Sequence, residues 1–414
     1  MEAPATGFDP LTRFASASSR HPIPALAIGE VIGQIFETLG GALSFAALFV
    51  SAGHTGALDD IVETVHATLS PGALIGATAT GVVSTGEQVE NAPAIALWAG
   101  RSANEASPAR TVLLDTVESS HGTSVRGWDD DEDEDVGSGR WGGLILLADP
   151  LSFAARPVLK ALRQGNPALP LVGGYASAGR RAGGNRLIRD HDVVSSGAVG
   201  LLLPAGVVTS VVVSQGHRAV GPVLTVTAVD GKTVQELALE PALDRFDQVV
   251  DACTDEERDL MADGLRVAVW SGATGDPVGR RSSQAIVGVD RDRRALLLGE
   301  AIGIGDRVQF TVHDGRVASR DLGAALDAVR SERGPASALV FTARRQGRRL
   351  SRGNHHDART IDDALAIPAA GMFAAQVFGT SDREEDAPGE PWLHDDAVAV
   401  SVMTAQDGPG AYQS

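Results

Sequence analysis

The chain reads as an α/β protein of the α+β kind, built from two related halves. Each half is expected to be a mixed β-sheet with helices packed outside it, the sheets together forming a layered sandwich. Three observations predict this. Short β-rich runs outnumber helical stripes by about two to one. Some of those runs are continuously apolar, as in strands covered on both faces, while others alternate, as in half-exposed sheets. A strand, helix, strand order occurs around residues 43–81 and again around 308–343, without a fixed repeat length.

Residues 1–40 form an N-terminal helical extension. In PIPALAIGEVIGQIFETLGG, Glu30, Gln34 and Glu37 recur at helical spacing, so one face is polar and the segment is amphipathic rather than an anchor. Residues 41–213 follow as a first domain. It contains the runs FAALFVS, ALIGATATG, AIALWAG, TVLLDTV, GGLILLADP, GAVGLLLP and TSVVVSQ. Its helices are marked by Leu58, Ile61, Val62, Val65 and Leu69, capped by Thr55 and ended by Pro71, and by Leu151, Ala155, Val158, Leu159 and Leu162, closed by Gly165. The stretch 119–140, SSHGTSVRGWDDDEDEDVGSGR, is read as a solvated acidic insertion; it lacks the spacing of a calcium loop.

The boundary is placed near Ser214, within AGVVTSVVVSQGHRAVGP. The second domain, 214–402, holds LRVAVW, AIVGVD, RVQFTV, SALVFTA, MFAAQVF and AVAVSV, with a helix marked by Leu322, Ala325, Leu326 and Val329. SDREEDAPGE, 381–390, is a polar connector, and 403–414 a flexible tail.

Composition narrows the function. With 43% hydrophobic residues in 414, the chain can bury sizeable cores. Its longest apolar runs fall short of the roughly 20 residues that span a bilayer, and no signal peptide is evident. Cys253 is the only cysteine, which excludes internal disulfides and thiolate zinc sites and suits a cytoplasmic location. The net charge of −18, seven units of it from Asp129–Asp135, repels nucleic acid.

Glycines 72, 76, 81 and 86 in GALIGATATGVVSTGEQVE raise the question of a phosphate loop. No lysine and hydroxyl follow Gly81, and neither a P-loop nor a dinucleotide fingerprint fits. The glycines therefore mark close approach of backbone or positive φ.

Together with WGGLILLADP, LPLVGGYASAG and GGNRLIRDHDVVSSGAVGLLL, this stretch resembles the amino-terminal half of the FIST family, a group of sensory domains. QGHRAVGPVLTVTAVDGKTVQELALEPAL, VQFTVHDGRVASRDL, ALVFTARRQGRRL, AAGMFAAQVFG and WLHDDAVAV resemble its carboxy-terminal domain. The resemblance implies a cytoplasmic sensor that binds a small ligand, such as an amino acid or another small anion, and signals through a partner protein. It also implies a site between the halves, built from Gly174, Tyr175, Ser177, Thr342, Arg344, Gln346 and His394. Three departures alter that site: Ala343 stands where the family usually has cysteine, Arg344 to Gly347 replace an Asn-Gly-Arg-Gly-like turn, and Val377 replaces a glutamate.

The resemblance also implies two other readings beside this one: an interaction module without a ligand, and a haem-based gas sensor using His217, His313 or His394. Neither cofactor nor metal is expected. His355, His356 and Asp357 read as a surface loop, because adjacent side chains do not share a face. Ser177 reads as a turn hydroxyl bonding backbone amides, and His313 with Asp314 as a strand end leading into an Asp-Gly turn. No connected nucleophile, base and oxyanion donor is apparent, so an enzyme is not expected.

Overall fold

A computed structural model describes residues 12–102, 108–119, 122–127, 141–166, 168–271, 280–332, 334–343, 356–379 and 392–405. Three stretches of chain follow one plan. The first runs β1 (Thr12–Ser19), α1 (Pro24–Leu39), β2 (Phe45–Ser51), α2 (Leu58–Leu69), β3 (Leu74–Ala79), a hairpin of β4 (Gly81–Ser84) and β5 (Glu87–Glu90), then β6 (Ile95–Ser102). The second runs β7 (Arg110–Ser119), β8 (Gly122–Arg126), β9 (Trp141–Ala148), α3 (Ala155–Gly165), β10 (Leu171–Tyr175), a hairpin of β11 (Leu187–Arg189) and β12 (Asp192–Val194), then β13 (Ala198–Pro204).

The third begins with β14 (Val207–Ser214) and is interrupted by a lobe. That lobe comprises β15 (His217–Asp230), β16 (Thr233–Leu237), β17 (Glu240–Pro241), α4 (Ala242–Ala252), α5 (Asp255–Asp263), β18 (Leu265–Ser271), β19 (Arg280–Asp290), β20 (Ala295–Leu298) and β21 (Arg307–His313). The module resumes with α6 (Gly315–Glu332), β22 (Ser337–Ala343), α7 (His356–Leu365), β23 (Ala369–Ala374), the antiparallel pair β24 (Val377–Gly379) and β25 (Trp392–His394), and β26 (Ala397–Ala405).

Each module builds a sheet in the same order: first strand, last strand, then a parallel pair joined through a helix. These are β1-β6-β2-β3, β7-β13-β9-β10 and β14-β26-β22-β23. Each sheet is then completed by the hairpin of another module. β11–β12 add to β3, β24–β25 to β10, and β4–β5 to β23. The exchange is cyclic, so the two halves of the chain are related and also share strands across residue 214. The fold is a mixed α/β sandwich with helices outside its sheets.

The inner faces of the three sheets meet in one core containing Phe49, Trp98, Ile145, Leu147, Val199, Phe341 and Met372. Trp98 donates its indole N–H to Ser337 Oγ at 2.6 Å, tying the first module to the third. Outer faces are buried as well: Ile28, Val31, Ile35, Ile61 and Val65 of α1 and α2 cover Leu48 and Leu97. Val158 and Leu159 of α3 cover Leu144 and Leu146, and Leu322, Leu326 and Ile361 of α6 and α7 cover Val340 and Val400. Burial on both faces explains why FAALFVS and SALVFTA are continuously apolar. Each large side chain so buried contributes about 1.5–3 kcal/mol.

The glycines of the opening motif now have a physical cause. Gly76, Gly173 and Gly371 occupy one equivalent place in β3, β10 and β23. Each lies between a parallel partner, Leu48, Leu146 or Val340, and an antiparallel partner, Ile188, Phe378 or Val83. A Cβ at any of the three would overlap the carbonyl oxygen of its parallel partner. Only glycine allows the strands to approach this closely.

The lobe has a separate seven-stranded sheet, β15-β21-β18-β19-β20-β16-β17, and a core of its own around Val220, Val267, Val269, Leu296 and Phe310 under α4 and α5. Those two helices were not foreseen; α5 carries a capping box in which Thr254 and Glu257 satisfy each other's backbone amides.

Several local expectations are corrected. The extension holds β1 as well as α1, because Thr12–Ser19 pairs along β6. Thr55 lies inside a 3₁₀ turn, Ala52–Ala57, and makes no side-chain cap to α2. Leu151 is exposed and precedes α3, whose first residue is Ala155. Residues 122–126 of the supposed loop form β8 against β7, while the acidic run itself lies outside the described residues. MFAAQVF is two strands separated by a crossing turn. Asp314 starts a helix rather than a turn, accepting from the amides of Arg316 through Oδ1 and Ala318 through its carbonyl. His356 begins α7 and Asp357 is buried in its first turn, because Ala358 and Ile361 dock on the third sheet; His355 lies outside the described residues.

Candidate functional site

The Gly-Gly-Tyr-Ala-Ser motif sits where the three modules cross. Ser177 donates to the Phe373 carbonyl at 2.5 Å and accepts from the Thr80 amide at 2.9 Å, with Thr80 Oγ1 at 3.3 Å. Its own amide donates to Thr78 O. Thr80, Ser177 and Ala375 each lie four residues beyond the equivalent glycines, so one hydroxyl pins the ends of β3, β10 and β23 together. Tyr175 and the turn after β23 exchange backbone bonds through Ala375 and Gln376. Gly174 is confined there too, since a Cβ would stand 2.7 Å from Ala374 Cβ.

Tyr175 turns the other way. Its hydroxyl donates to Phe153 O at 3.1 Å and accepts from the Ala155 amide at 3.0 Å, which caps α3, while its ring meets Phe378 edge-on at 5.4 Å. Burial pushes the phenol pKa up, keeping it neutral. Both polar ends of this expected ligand contact are therefore used internally.

Thr342 is fully buried near the end of β22, and its hydroxyl has no hydrogen-bond partner among the described residues. Arg344 and Gln346 lie outside the described residues. Val377 packs into the central core, in the place taken by Val82 and Leu187 in the other exchanged hairpins.

The carboxyl ends of the three leading parallel strands differ in chemistry. In the first module Ser51 accepts from the Ala94 amide at 2.7 Å. In the second, Asp149 accepts from Asn185 Nδ2 at 2.9 Å and Ser152 Oγ at 2.7 Å. In the third the equivalent residue is Ala343, which pairs with Ala374 and Ala397. Polar groups gather around that end from its neighbours instead.

Gln215, just after β14, brings its side-chain amide nitrogen within 2.9 Å of His394 Nε2. Gln376 donates to Asp395 Oδ1 at 2.7 Å, and the Arg266 guanidinium lies 3.8 Å from Asp395 Oδ2. Arg266 is oriented by two 2.8 Å bonds to Ser283, one to the hydroxyl and one to the backbone carbonyl. His313 Nδ1 is 3.1 Å from Gln215 O and 3.8 Å from Asp396 Oδ2. Thr311, on the same strand as His313, is buried, and its hydroxyl has no partner among the described residues. Burial, with the nearby Arg266 charge, lowers the His394 pKa to about 4. The imidazole is thus neutral at physiological pH, and its Nε2 accepts from Gln215.

This seam between the body and the lobe contains His394 and meets the backbone of the Gly-Gly-Tyr-Ala-Ser motif where the Tyr175 amide donates to Gln376 O, while the Ser177 hydroxyl is engaged at the crossing. Gln215, Arg266, Gln376, Asp395 and Asp396 escaped sequence reasoning. The only available signal was the Asp-Asp pair interrupting the apolar pattern of WLHDDAVAV.

A cavity of about 590 Å³ lies elsewhere, lined by Asp59, Val62, Glu63, His66, Ala67 and His191. Its two imidazoles stack at 3.7 Å. Among the described residues no three His, Cys, Asp or Glu side chains converge as metal ligands.

Fold and site together define a layered α/β protein with polar groups gathered at the carboxyl end of a parallel strand pair, the usual ligand position in such sheets. Residues 44–240 match the FIST N domain and 242–375 the FIST C domain. The chain belongs to the FIST family, whose domains are regarded as sensory, signal-transduction domains. It is 36% identical over 349 residues to an uncharacterised protein of Mycobacterium tuberculosis, covering 83% of this chain and 88% of the relative. A second uncharacterised protein, from Mycobacterium bovis, is 34% identical over 361 residues, covering 84% and 89%. No helix among the described residues is long and apolar enough to cross a membrane.

Proposed function

We propose that this protein is a cytoplasmic sensor that takes up a small molecule at the seam between body and lobe and passes the signal to a partner protein. The observation that carries this reading is the seam itself. Arg266, His394, Gln215, Gln376, Asp395 and Asp396 converge there from separate segments, and the buried hydroxyl of Thr311, opposite Arg266, has no hydrogen-bond partner among the described residues. A buried polar atom without a partner costs about 1–3 kcal/mol, which a ligand can recover. A guanidinium beside a carboxylate, Arg266 with Asp395, suits a ligand carrying both an acidic and a basic group.

Binding is favoured over catalysis, since Ser177 donates to a backbone carbonyl rather than to a base. The test is a thermal-shift screen of amino acids, small carboxylates and inorganic anions against wild type and Arg266→Ala. A ligand at a hundred times its Kd stabilises the native state by about 2.7 kcal/mol. The expected result is a raised Tm in wild type that Arg266→Ala abolishes. No shift with any compound, or an equal shift in both proteins, would overturn the reading.

A further inference from the structure

Among the described residues, the lobe and the body have separate sheets and separate cores. The described residues of 217–313 share no strand with the three body sheets, and no described body residue belongs to the lobe core. The body clusters in turn contain none from the lobe. Two chain crossings connect them, Ser214 to His217 and His313 to Gly315, and they run side by side: His217 pairs with His313, and the Asp314 amide donates to Gly216 O at 2.9 Å. Gly216 has φ of 61°, and a Cβ there would stand 2.6 Å from Ala318 Cβ.

The named contacts across the boundary are polar. Arg266 meets Asp395 at 3.8 Å, Arg156 of α3 meets Glu300 at 3.2 Å, and Arg316 of α6 pairs with Glu256 of α5. The last two pairs are more than half exposed, and such ion pairs contribute little net stability. A polar boundary crossed by two adjacent segments is the setting in which relative domain motion is expected.

We propose that the lobe pivots on Gln215–Gly216 and Asp314, opening and closing the seam, and that this movement is how binding there is read out. The proposal rests on the seam being the sensing site. The hinge residues serve both sides of it: Gln215 holds His394 through its side chain and His313 through its carbonyl, so a group inserted at His394 acts on the pivot itself. The acids facing the pivot, Asp314 and Asp396, are buried, and Asp314 also holds Arg218 of the lobe at 3.3 Å.

The experiment needs no ligand. Spin labels at Lys232→Cys on the lobe and Glu37→Cys on the body report their separation; both positions are exposed, while the native Cys253 is buried. A body-only pair, Glu37→Cys with Ala328→Cys, sets the width expected of a rigid unit. The lobe-to-body distance distribution should be roughly twice as wide as the body-only one. It should widen further in Arg156→Ala/Arg266→Ala, with the body-only width unchanged. If that variant fails to fold, 1 M salt replaces it, since the Debye length falls to about 3 Å and exposed pairs weaken. Equal widths that neither treatment changes would overturn the hinge. A wide distribution with an empty ligand screen would keep the hinge and sink the sensing role. A ligand bound to a rigid lobe would do the reverse.

Discussion

The crossing at Ser177 and the seam at His394 both lie at the carboxyl ends of parallel strands, yet they are closed by different means. At the crossing, one serine hydroxyl and a set of backbone bonds leave little for a ligand to replace. At the seam, side chains do the closing, and side chains can be displaced. The family-like motif that stands out in the sequence belongs to the first place. A glycine-rich signature here reports how three strands pass one another, while ligand chemistry is carried by scattered polar residues.

The comparison can be broken most severely at the glycines. Gly173→Val should yield no folded protein by circular dichroism and gel filtration, because the added Cβ meets the Leu146 carbonyl rather than a movable side chain. A folded variant would mean the strands can separate and the crossing is not tight. Next comes Val377→Glu, which restores the residue type expected from the family resemblance. In this core it leaves an unpaired carboxylate, and urea denaturation should show a loss of more than about 3 kcal/mol.

Ser177→Ala tests the hydroxyl alone. It should cost about 1–3 kcal/mol, leaving the Thr80 amide and the Phe373 carbonyl without that partner, and should not alter any ligand-induced shift. A lost shift with unchanged stability would move the site to the crossing. The smallest effect belongs to His394. Its folded pKa lies below the ordinary 6.5, so the unfolded chain takes up the proton first. Stability from this group is therefore complete above pH 6.5 and declines as pH falls toward about 4. His394→Gln should flatten that part of the pH–stability curve, and an unchanged slope would show that the imidazole is not desolvated.

Much of the body was legible because its strands are buried on both faces, which makes runs such as FAALFVS and SALVFTA continuous and easy to see. The amphipathic face of α1 was equally plain, since Ile28, Val31, Ile32 and Ile35 all point inward. The strand, helix, strand order around 308–343 joins a lobe strand, β21, to α6 and β22 of the third module, so the lobe that separates β14 from α6 hid the span of that module. Short acid-rich α4 and α5 carry few buried residues, so their stripe is weak: Ala242 and Val249 are the buried positions of α4. The seam was the least legible part. Gln215, Arg266 and Asp395 are far apart in sequence, and no spacing rule connects residues that meet only when an inserted lobe folds back on its host sheet.

The cyclic exchange of hairpins also sets an order for synthesis. The bond from the Ala369 amide to Thr85 Oγ1 spans 284 residues, and β4–β5 have no sheet to join until β23 exists. At about 5–20 residues per second, the ribosome needs roughly 15–60 s to supply it. During that interval β3 gains its neighbour from the second module, but β4–β5 wait beside unfinished edges able to pair with the wrong strand. The nascent chain therefore has no complete sheet-bounded core until its carboxy-terminal strands emerge, and a truncated product would present open edges to chaperones and to other copies of itself.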